Sequence, residues 1–174
     1  MVKAKMYPQD LKAGDRYFEL AIEPLVYDDL DSFKLIRDSN LEFLHTPRSY
    51  TLDETKMWYF ATNPRYLAIR STYPYGEMLV GYIRLNNISF PTIQVGMDLH
   101  KDWQNRGLGR ILYIMLEAEL SKMGFTRMHL FVLETNERAV NFYKRLGFQV
   151  YSTVQTTLFG VPHSLYMEKQ ISTN

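Results

Sequence analysis

A glycine-bearing segment at residues 104–110, QNRGLGR, restricts the fold of this chain more than any other feature. It lies between an alternating apolar run at residues 92–99 and a longer apolar-periodic run that begins near Leu108. Gly107 and Gly109 lack a β-carbon, so the backbone there can turn tightly and present successive N–H groups to one side. The segment therefore predicts a strand, a tight turn and a helix whose first N–H groups are unpaired and carry partial positive charge.

Two interpretations of this segment follow from the residues alone. It is either a plain strand-to-helix turn or a cradle for a pyrophosphate, in which Arg106 and Arg110 add positive charge. Other phosphate-binding loops fit less well. The chain has no G-x-x-x-x-G-K-[ST] segment, and Leu112 occupies the position of the third glycine in the dinucleotide-binding fingerprint.

Composition excludes several classes of protein. The chain has 174 residues, which predicts one domain, with residues 1–15 as an N-terminal arm and residues 16–174 as the domain itself. Twenty basic and 19 acidic residues give a net charge of +1, so we expect no nucleic-acid or membrane partner. The absence of cysteine excludes disulfides, thiolate zinc sites and a cysteine nucleophile, and no metal cluster is visible. A cytoplasmic protein without a membrane-spanning segment is expected.

Periodicity predicts a chain in which strands and helices alternate. A capping box of Thr51 and Glu54 begins the second helix, and Gly147 ends the last one. The element order is β-α-α-β-β-β-α-β-α-β-β, which favours an α/β fold with a mixed sheet. Strands are predicted at residues 18–25, 66–71, 78–86, 92–99, 127–133, 149–158 and 165–169, and helices at residues 28–40, 51–61, 108–123 and 137–146.

A second motif lies downstream, at residues 132–148: VLETNERAVNFYKRLGF. It combines a strand end, a helix that begins after Asn136, Tyr143, and an exit through Gly147 and Phe148. Together with the Gln-x-x-Gly-x-Gly pattern of residues 104–109, this stretch resembles the GNAT superfamily of N-acetyltransferases, over about residues 78–150. The resemblance implies a GNAT-like α/β sandwich with a mostly antiparallel central sheet flanked by helices. It also implies acetyl-CoA-dependent transfer of an acetyl group to a primary amine, by direct attack in a ternary complex.

The resemblance also implies which residues bind acetyl-CoA. The loop would hold the pyrophosphate through backbone amides, and the end of the preceding strand would pair with pantetheine and polarise the thioester carbonyl near Leu99. The helix after Asn136 would contact the cofactor arm. The cofactor-binding residues implied are Asp98, Leu99, His100, Gln104, Asn105, Arg106, Gly107, Leu108, Gly109, Arg110, Asn136, Ala139 and Tyr143.

Tyr143 matches the tyrosine that protonates the leaving CoA thiolate in such enzymes. Its phenol has an ordinary pKa near 10 and can supply a proton only if it is well positioned. Tyr143 also shares helical spacing with Ala139 and Leu146, so a purely structural role in the core is the alternative. The general base stays open: Asp98, His100 and Glu134 are candidates, Gln94 is not a useful one, and removal of the proton through ordered water is equally consistent.

The acceptor is predicted only as an amine on a small molecule or a peptide. Residues 41–58 resemble the acceptor-side entry of two GNAT branches, the ribosomal-protein N-terminal acetyltransferases and the transferases that act on nucleotide-linked amino sugars. Two non-enzymatic alternatives are an acyl-CoA-binding sensor or scaffold and a nucleotide-binding regulatory domain. Either a monomer or a homodimer is consistent with the sequence. Candidate acceptor-side residues are Arg37, Asn40, His45, Arg48, Tyr50, Trp58, Tyr59, Tyr73, Tyr75, Phe159 and His163.

Overall fold

A computed structural model describes residues 2–6, 18–62, 65–72, 76–154 and 163–172. In this part of the chain there are eight strands: β1 (Val2–Met6), β2 (Phe18–Pro24), β3 (Tyr66–Ser71), β4 (Met78–Ser89), β5 (Thr92–Leu99), β6 (Arg127–Leu133), β7 (Gln149–Val154) and β8 (Ser164–Gln170). The helices are α1 (Leu30–Asp38), α2 (Leu52–Thr62), α3 (Leu108–Lys122) and α4 (Glu137–Arg145). Short 3-10 turns occupy Tyr27–Asp29, Leu41–Phe43 and Lys101–Trp103.

The strands hydrogen-bond in the order β1-β2-β3-β4-β5-β6-β8-β7. Pairing is antiparallel between β1 and β2, β2 and β3, β3 and β4, β6 and β8, and β7 and β8. Strands β5 and β6 are parallel, with Thr92 opposite Arg127 and Gln94 opposite His129. The predicted α/β fold with a mixed, mostly antiparallel sheet is confirmed.

The chain divides into two compact units, which are described separately. The first comprises Met1–Asn40, Ser49–Arg84 and Met97–Gly109. Its core forms because α1 places Leu30, Phe33 and Ile36 on one buried face. The Phe33 ring stacks on Trp58 of α2 at 5.5 Å, and Tyr66 stacks on Tyr82 of the sheet at 5.7 Å.

The start of α2 matches its predicted capping box. The Thr51 N–H donates to Glu54 Oε2 at 2.8 Å, and the Glu54 N–H donates to Thr51 Oγ1 at 3.1 Å. Two N–H groups that the first turn leaves without helical partners are thereby satisfied. The local sequence thus fixes where this helix begins.

The second unit comprises Leu41–Arg48, Leu85–Gly96 and Arg110–Asn174. On α3, Leu112, Leu116 and Leu120 recur every four residues and are all buried, and the sheet contributes Met128 and Met167, both fully buried. The Glu117 carboxylate of α3 accepts a hydrogen bond from Lys169 Nζ of β8 at 2.6 Å. Helix α3 and strand β8 are therefore joined by an ion pair.

Strand β1 was not predicted, because its residues fell within the expected N-terminal arm. Val2–Met6 pairs with β2 over five residues, from Val2 opposite Ile22 to Met6 opposite Phe18. The VKAKM segment does alternate apolar and lysine residues, and lysine is common on strands at the edge of a sheet, as β1 is. A five-residue pattern at a chain end is a weak signal, which is why the sequence analysis missed it.

The other predicted strands and helices all occur, with ends shifted by a few residues at most where the structure describes them. Positions 155–158, the end of the strand predicted at residues 149–158, lie outside the described residues. Strands Tyr66–Ser71, Thr92–Leu99 and Arg127–Leu133 have the bounds predicted for them. The turn predicted at residues 73–76 falls mostly outside the described residues, as does the predicted turn at residues 160–162. No helix in the described ranges is long and apolar enough to cross a membrane.

Candidate active site

The carboxyl end of β5 approaches β4 unusually closely. The backbone carbonyl oxygen of Asp98 lies so near Gly81 that a β-carbon built there would be only 2.6 Å from it. One residue further on, the His100 N–H donates to the Val80 carbonyl at 2.9 Å. Glycine at position 81 is therefore what allows β4 to hold the end of β5 at this distance.

Strand geometry orients the N–H of Leu99. The Asp98 carbonyl and the His100 N–H both face β4, so strand alternation turns the N–H and the carbonyl of Leu99 to the opposite edge of β5. The register of β5 with β6 ends at Gln94, five residues before Leu99. The Leu99 carbonyl accepts a hydrogen bond from Gln104 Nε2 at 2.8 Å. The backbone of Asp98, Leu99 and His100 was expected to pair with pantetheine, but the Asp98 carbonyl and the His100 N–H face β4, so of these groups the Leu99 N–H is the one left on the other edge.

The loop after β5 contains two residues in the left-handed region. Asn105 has φ 60° and Gly107 has φ 76°, and a β-carbon at Gly107 would meet no atom within 4 Å. Leu108, fully buried, begins the 15-residue helix α3. Alternation of right- and left-handed residues forms concave groups of N–H donors that bind anions. The fit of a phosphate is favourable because Gly107 leaves open space beside the backbone.

Arg106 is exposed and lies beside an aromatic ring. Its guanidinium carbon is 5.5 Å from the centre of the Trp103 ring, within the range of a cation–π contact. The Gln104 N–H donates within the preceding turn to the Lys101 carbonyl at 3.3 Å. The N–H groups of the loop that can face a ligand therefore begin at Asn105, one residue later than the sequence pattern suggested.

Two of the candidate bases have structural partners. The Asp98 carboxylate, largely buried, forms an ion pair with Arg84 Nη2 at 3.0 Å. His100 caps the Lys101–Trp103 turn, and its Nδ1 accepts from the Asp102 N–H at 3.3 Å. Both contacts reduce the availability of these groups as bases.

The aromatic residues beside Asp98 stay protonated at neutral pH. Burial raises the pKa of both the Tyr66 and the Tyr82 hydroxyls. The nearby Asp98 carboxylate raises these pKa values further, and Arg84 lowers them. These phenols are therefore neutral hydrogen-bond donors and not candidate bases.

In the second unit, Asn136 is the N-cap of α4. Its Oδ1 accepts a hydrogen bond from the Ala139 N–H at 3.1 Å. This hydrogen bond stabilises the first turn of the helix and gives Asn136 a structural role. The capping bond involves only Oδ1 and does not involve the amide nitrogen Nδ2.

Tyr143 is buried, with 8% of its surface exposed. Its ring packs edge-on against Tyr113 at 5.7 Å and Phe148 at 5.6 Å. These contacts fix the position of the phenol and are compatible with both interpretations of the sequence, a core residue or a general acid.

The predicted cofactor residues are thus distributed over both units. The first contains Asp98, Leu99, His100, Gln104, Asn105, Arg106, Gly107, Leu108 and Gly109, which are brought together by the end of β5 and its loop. The second contains Arg110, Asn136, Ala139 and Tyr143, of which the last three lie along α4 or cap it.

The candidate acceptor-side residues have varied surroundings. The Arg37 guanidinium lies 4.6 Å from the Tyr50 ring centre, and Trp58 packs in the core of the first unit. In the second unit, His45 Nε2 lies 2.8 Å from the hydroxyl of Ser164, which is fully buried. Tyr73, Tyr75 and Phe159 are outside the described residues. Sequence reasoning missed Arg84 and Ser164, since neither stands in a recognisable motif.

Comparison with known proteins decides the family. Residues 31–148 match the model of the Acetyltransferase (GNAT) family. The chain belongs to the GNAT acetyltransferase family. The match confirms the resemblance inferred from residues 104–109 and 132–148.

Solved structures show the GNAT fold over most of the chain. Spermidine N-acetyltransferase from Vibrio cholerae, in complex with CoA and spermine, has a TM-score of 0.74 at 18% identity, covering 88% of this chain and 96% of that one. The ribosomal-protein-S18-alanine N-acetyltransferase of Escherichia coli has a TM-score of 0.64 at 22% identity, covering 89% and 96%.

A curated relative matches a shorter stretch. Mycothiol acetyltransferase from Nocardiopsis dassonvillei is 41% identical over 59 residues, which is 34% of this chain and 17% of that protein. This chain therefore spans only a small part of that relative, and the similarity is local.

Proposed function

We propose that this GNAT chain transfers the acetyl group of acetyl-CoA to a primary amine, by direct attack in a ternary complex. The observation that carries the proposal is the end of β5. There the Leu99 N–H is turned to the edge away from β4, and a loop with left-handed residues at positions 105 and 107 leads directly into α3.

The loop would hold the pyrophosphate of the cofactor. Its N–H groups from Asn105 onwards, the first turn of α3 and the exposed Arg106 and Arg110 together supply hydrogen bonds and positive charge. Gly107 permits this approach because it has no β-carbon and adopts a positive φ.

The Leu99 N–H would stabilise the transition state. When an amine nitrogen attacks the thioester carbonyl carbon, negative charge develops on the carbonyl oxygen. A backbone donor that is already fixed in orientation stabilises this charge without having to reorganise. The carbon–sulfur bond then breaks, and the departing sulfur leaves as a thiolate.

We assign to Tyr143 the proton that neutralises this thiolate. The ring is held by its aromatic neighbours, so its hydroxyl has a defined position. The attacking amine loses one proton in the same sequence. Because Asp98 is paired with Arg84 and His100 caps a turn, we propose that water accepts this proton, with no dedicated side-chain base. Water then returns a proton to the Tyr143 phenolate, which restores the acid for the next turnover.

The acceptor is a narrower proposal. The fold is shared with proteins whose names specify an alanine of ribosomal protein S18 and spermidine. We favour a peptide with a free N-terminus or an amino sugar as the acceptor. Residues 41–58 resemble the acceptor-side entry of the ribosomal-protein N-terminal acetyltransferases and of the transferases that act on nucleotide-linked amino sugars.

Thiol release from acetyl-CoA tests the proposal. The panel of amines should contain peptides with free N-termini, nucleotide-linked amino sugars, polyamines and aminoglycosides, and calorimetry should measure acetyl-CoA binding in parallel. We expect thiol release that depends on one class of amine. Binding of acetyl-CoA without amine-dependent release would instead identify a non-catalytic acyl-CoA module. Binding of nucleotides but not CoA would refute the proposed cofactor.

A further inference from the structure

Asn40, just beyond the end of α1, has a buried side chain that reaches a distant strand. Only 5% of the residue is exposed. Its Nδ2 donates to the Leu99 carbonyl, 59 positions along the chain, at 3.0 Å, and also to the Ile36 carbonyl at 2.9 Å. The side chain therefore ties the end of a helix to the end of β5.

Gln104 completes a closed set of hydrogen bonds with Asn40. Its Nε2 donates to Asn40 Oδ1 at 2.7 Å and to the Leu99 carbonyl at 2.8 Å. The carbonyl of Leu99 thus accepts one bond from each of two side-chain amides, which uses both of its lone pairs. The orientation of the Asn40 amide is determined, because the opposite one would place its oxygen against two carbonyl oxygens.

The peptide unit that follows Leu99 is held at both ends. The Leu99 carbonyl is bound by the two amides, and the His100 N–H is bound by Val80 of β4. The Leu99 N–H belongs to the preceding peptide unit, which it shares with the Asp98 carbonyl beside Gly81. With the following unit held at both ends, the N–H can turn only together with that carbonyl, through the φ and ψ rotations at Leu99.

We propose that Asn40, with Gln104, forms an amide clamp that orients the Leu99 N–H toward the thioester oxygen. Asn40 is a positioning residue: it acts through Leu99 and has no contact with the reacting atoms. The inference rests on the proposed acetyl transfer. It explains why a polar side chain is buried at this point, where an unpaired amide would cost stability.

Substitution of Asn40 separates positioning from binding. Asn40→Asp keeps the size of the side chain but replaces the donor to Leu99 with a carboxylate oxygen. Removal of a whole oxyanion donor lowers kcat by about 10²–10³. Loss of the donor's alignment alone should therefore lower kcat by about tenfold at saturating acetyl-CoA. The Kd for acetyl-CoA should change by less than about threefold. Asn40→Ala should give the same division between kcat and Kd.

Ser39→Ala is the matched control. The Ser39 hydroxyl donates to the same Ile36 carbonyl at 2.7 Å and accepts from Asn40 Nδ2 at 3.3 Å, so Ser39→Ala removes a neighbour of the clamp but keeps both amide bonds to the Leu99 carbonyl. Ser39→Ala should leave kcat within about twofold of the wild type, as expected for a partly exposed residue outside the clamp. A kcat for both Asn40 variants equal to that of Ser39→Ala, or a parallel loss of kcat and acetyl-CoA affinity, would overturn the proposal.

Amide hydrogen exchange tests the clamp independently of catalysis. We expect exchange of the His100 N–H to become at least about tenfold faster in Asn40→Asp than in Ser39→Ala, because the peptide unit has lost a tether. Unchanged exchange would overturn the clamp. If the wild type transfers no acetyl group to any amine, the proposed function fails, and the exchange result still decides whether the clamp exists.

Discussion

Gly81→Ala should both destabilise the protein and slow the proposed reaction. The added β-carbon would lie 2.6 Å from the Asp98 carbonyl oxygen and 2.6 Å from Leu99 Cδ2, where ordinary contacts begin at 3.4 Å. The Leu99 side chain can move aside, but the carbonyl is backbone. The two strands must therefore separate by about 0.8 Å, the difference between 3.4 and 2.6. Overpacking of this kind costs about 1–3 kcal/mol.

Gly81→Ala should also change the orientation of the Leu99 N–H, the proposed oxyanion donor. The Asp98 carbonyl and the Leu99 N–H belong to one planar peptide unit, so displacement of the carbonyl rotates the N–H with it. We expect kcat to fall by more than tenfold, on the order of the effect of losing one oxyanion donor, while the acetyl-CoA Kd changes much less.

Urea and thermal unfolding measure the loss of stability, and steady-state kinetics measure the loss of turnover. At this chain length, about 1–3 kcal/mol corresponds to a fall in Tm of about 2–12 °C. Asn86→Ala, at an exposed position on the same strand, is the control and should change stability by no more than about 0.5 kcal/mol. Stability of Gly81→Ala equal to that of this control would refute the close approach. Lowered stability with unchanged kcat would refute the role assigned to the Leu99 N–H.

Three further substitutions test separate parts of the account. Thr51→Ala removes the capping box of α2 and should lower the free energy of unfolding by about 1 kcal/mol in urea titrations; no change would mean that the cap is dispensable. Gly107→Val forces a β-branched residue to a positive φ and should abolish acetyl-CoA binding by calorimetry with the fold retained by circular dichroism; wild-type affinity would contradict the cradle. Burial and a hydrogen bond to Glu168 raise the pKa of the Tyr166 hydroxyl to about 12. As pH rises above about 10, the hydroxyl is deprotonated in the unfolded chain before it is deprotonated in the folded one, so the free energy of unfolding falls. Tyr166→Phe should make that alkaline decline shallower, and an unaltered pH profile of the urea midpoint would contradict the shift.

Much of the fold could be predicted from the sequence because its signals are local. The limits of β3, β5 and β6 follow from apolar runs bounded by turn residues, and the start of α2 follows from two residues three positions apart. Strand β1 was missed because the alternation of five residues, Val2–Met6, is a weak local signal, and its pairing with β2 forms only in the folded chain.

The same distinction between local signals and long-range contacts applies to the candidate site. The loop around Gly107 could be predicted because a backbone with positive φ favours glycine, and the glycine can be read from the sequence. The amide of Asn40 and the guanidinium of Arg84 meet Leu99 and Asp98 only after the chain has folded. No spacing rule relates such pairs, so their roles in holding the end of β5 had to come from the structure.

The central claim is that this chain transfers acetyl groups with Tyr143 as the acid, and Tyr143→Phe tests it most directly. Phenylalanine keeps the packing against Tyr113 and Phe148 and removes only the hydroxyl. With the best amine from the panel, we predict that kcat falls by about 10² or more while the acetyl-CoA Kd stays within about threefold of the wild type. Equal losses of turnover and affinity, or unchanged turnover, would contradict the assignment, and a wild type that binds acetyl-CoA but acetylates no amine would contradict the function itself.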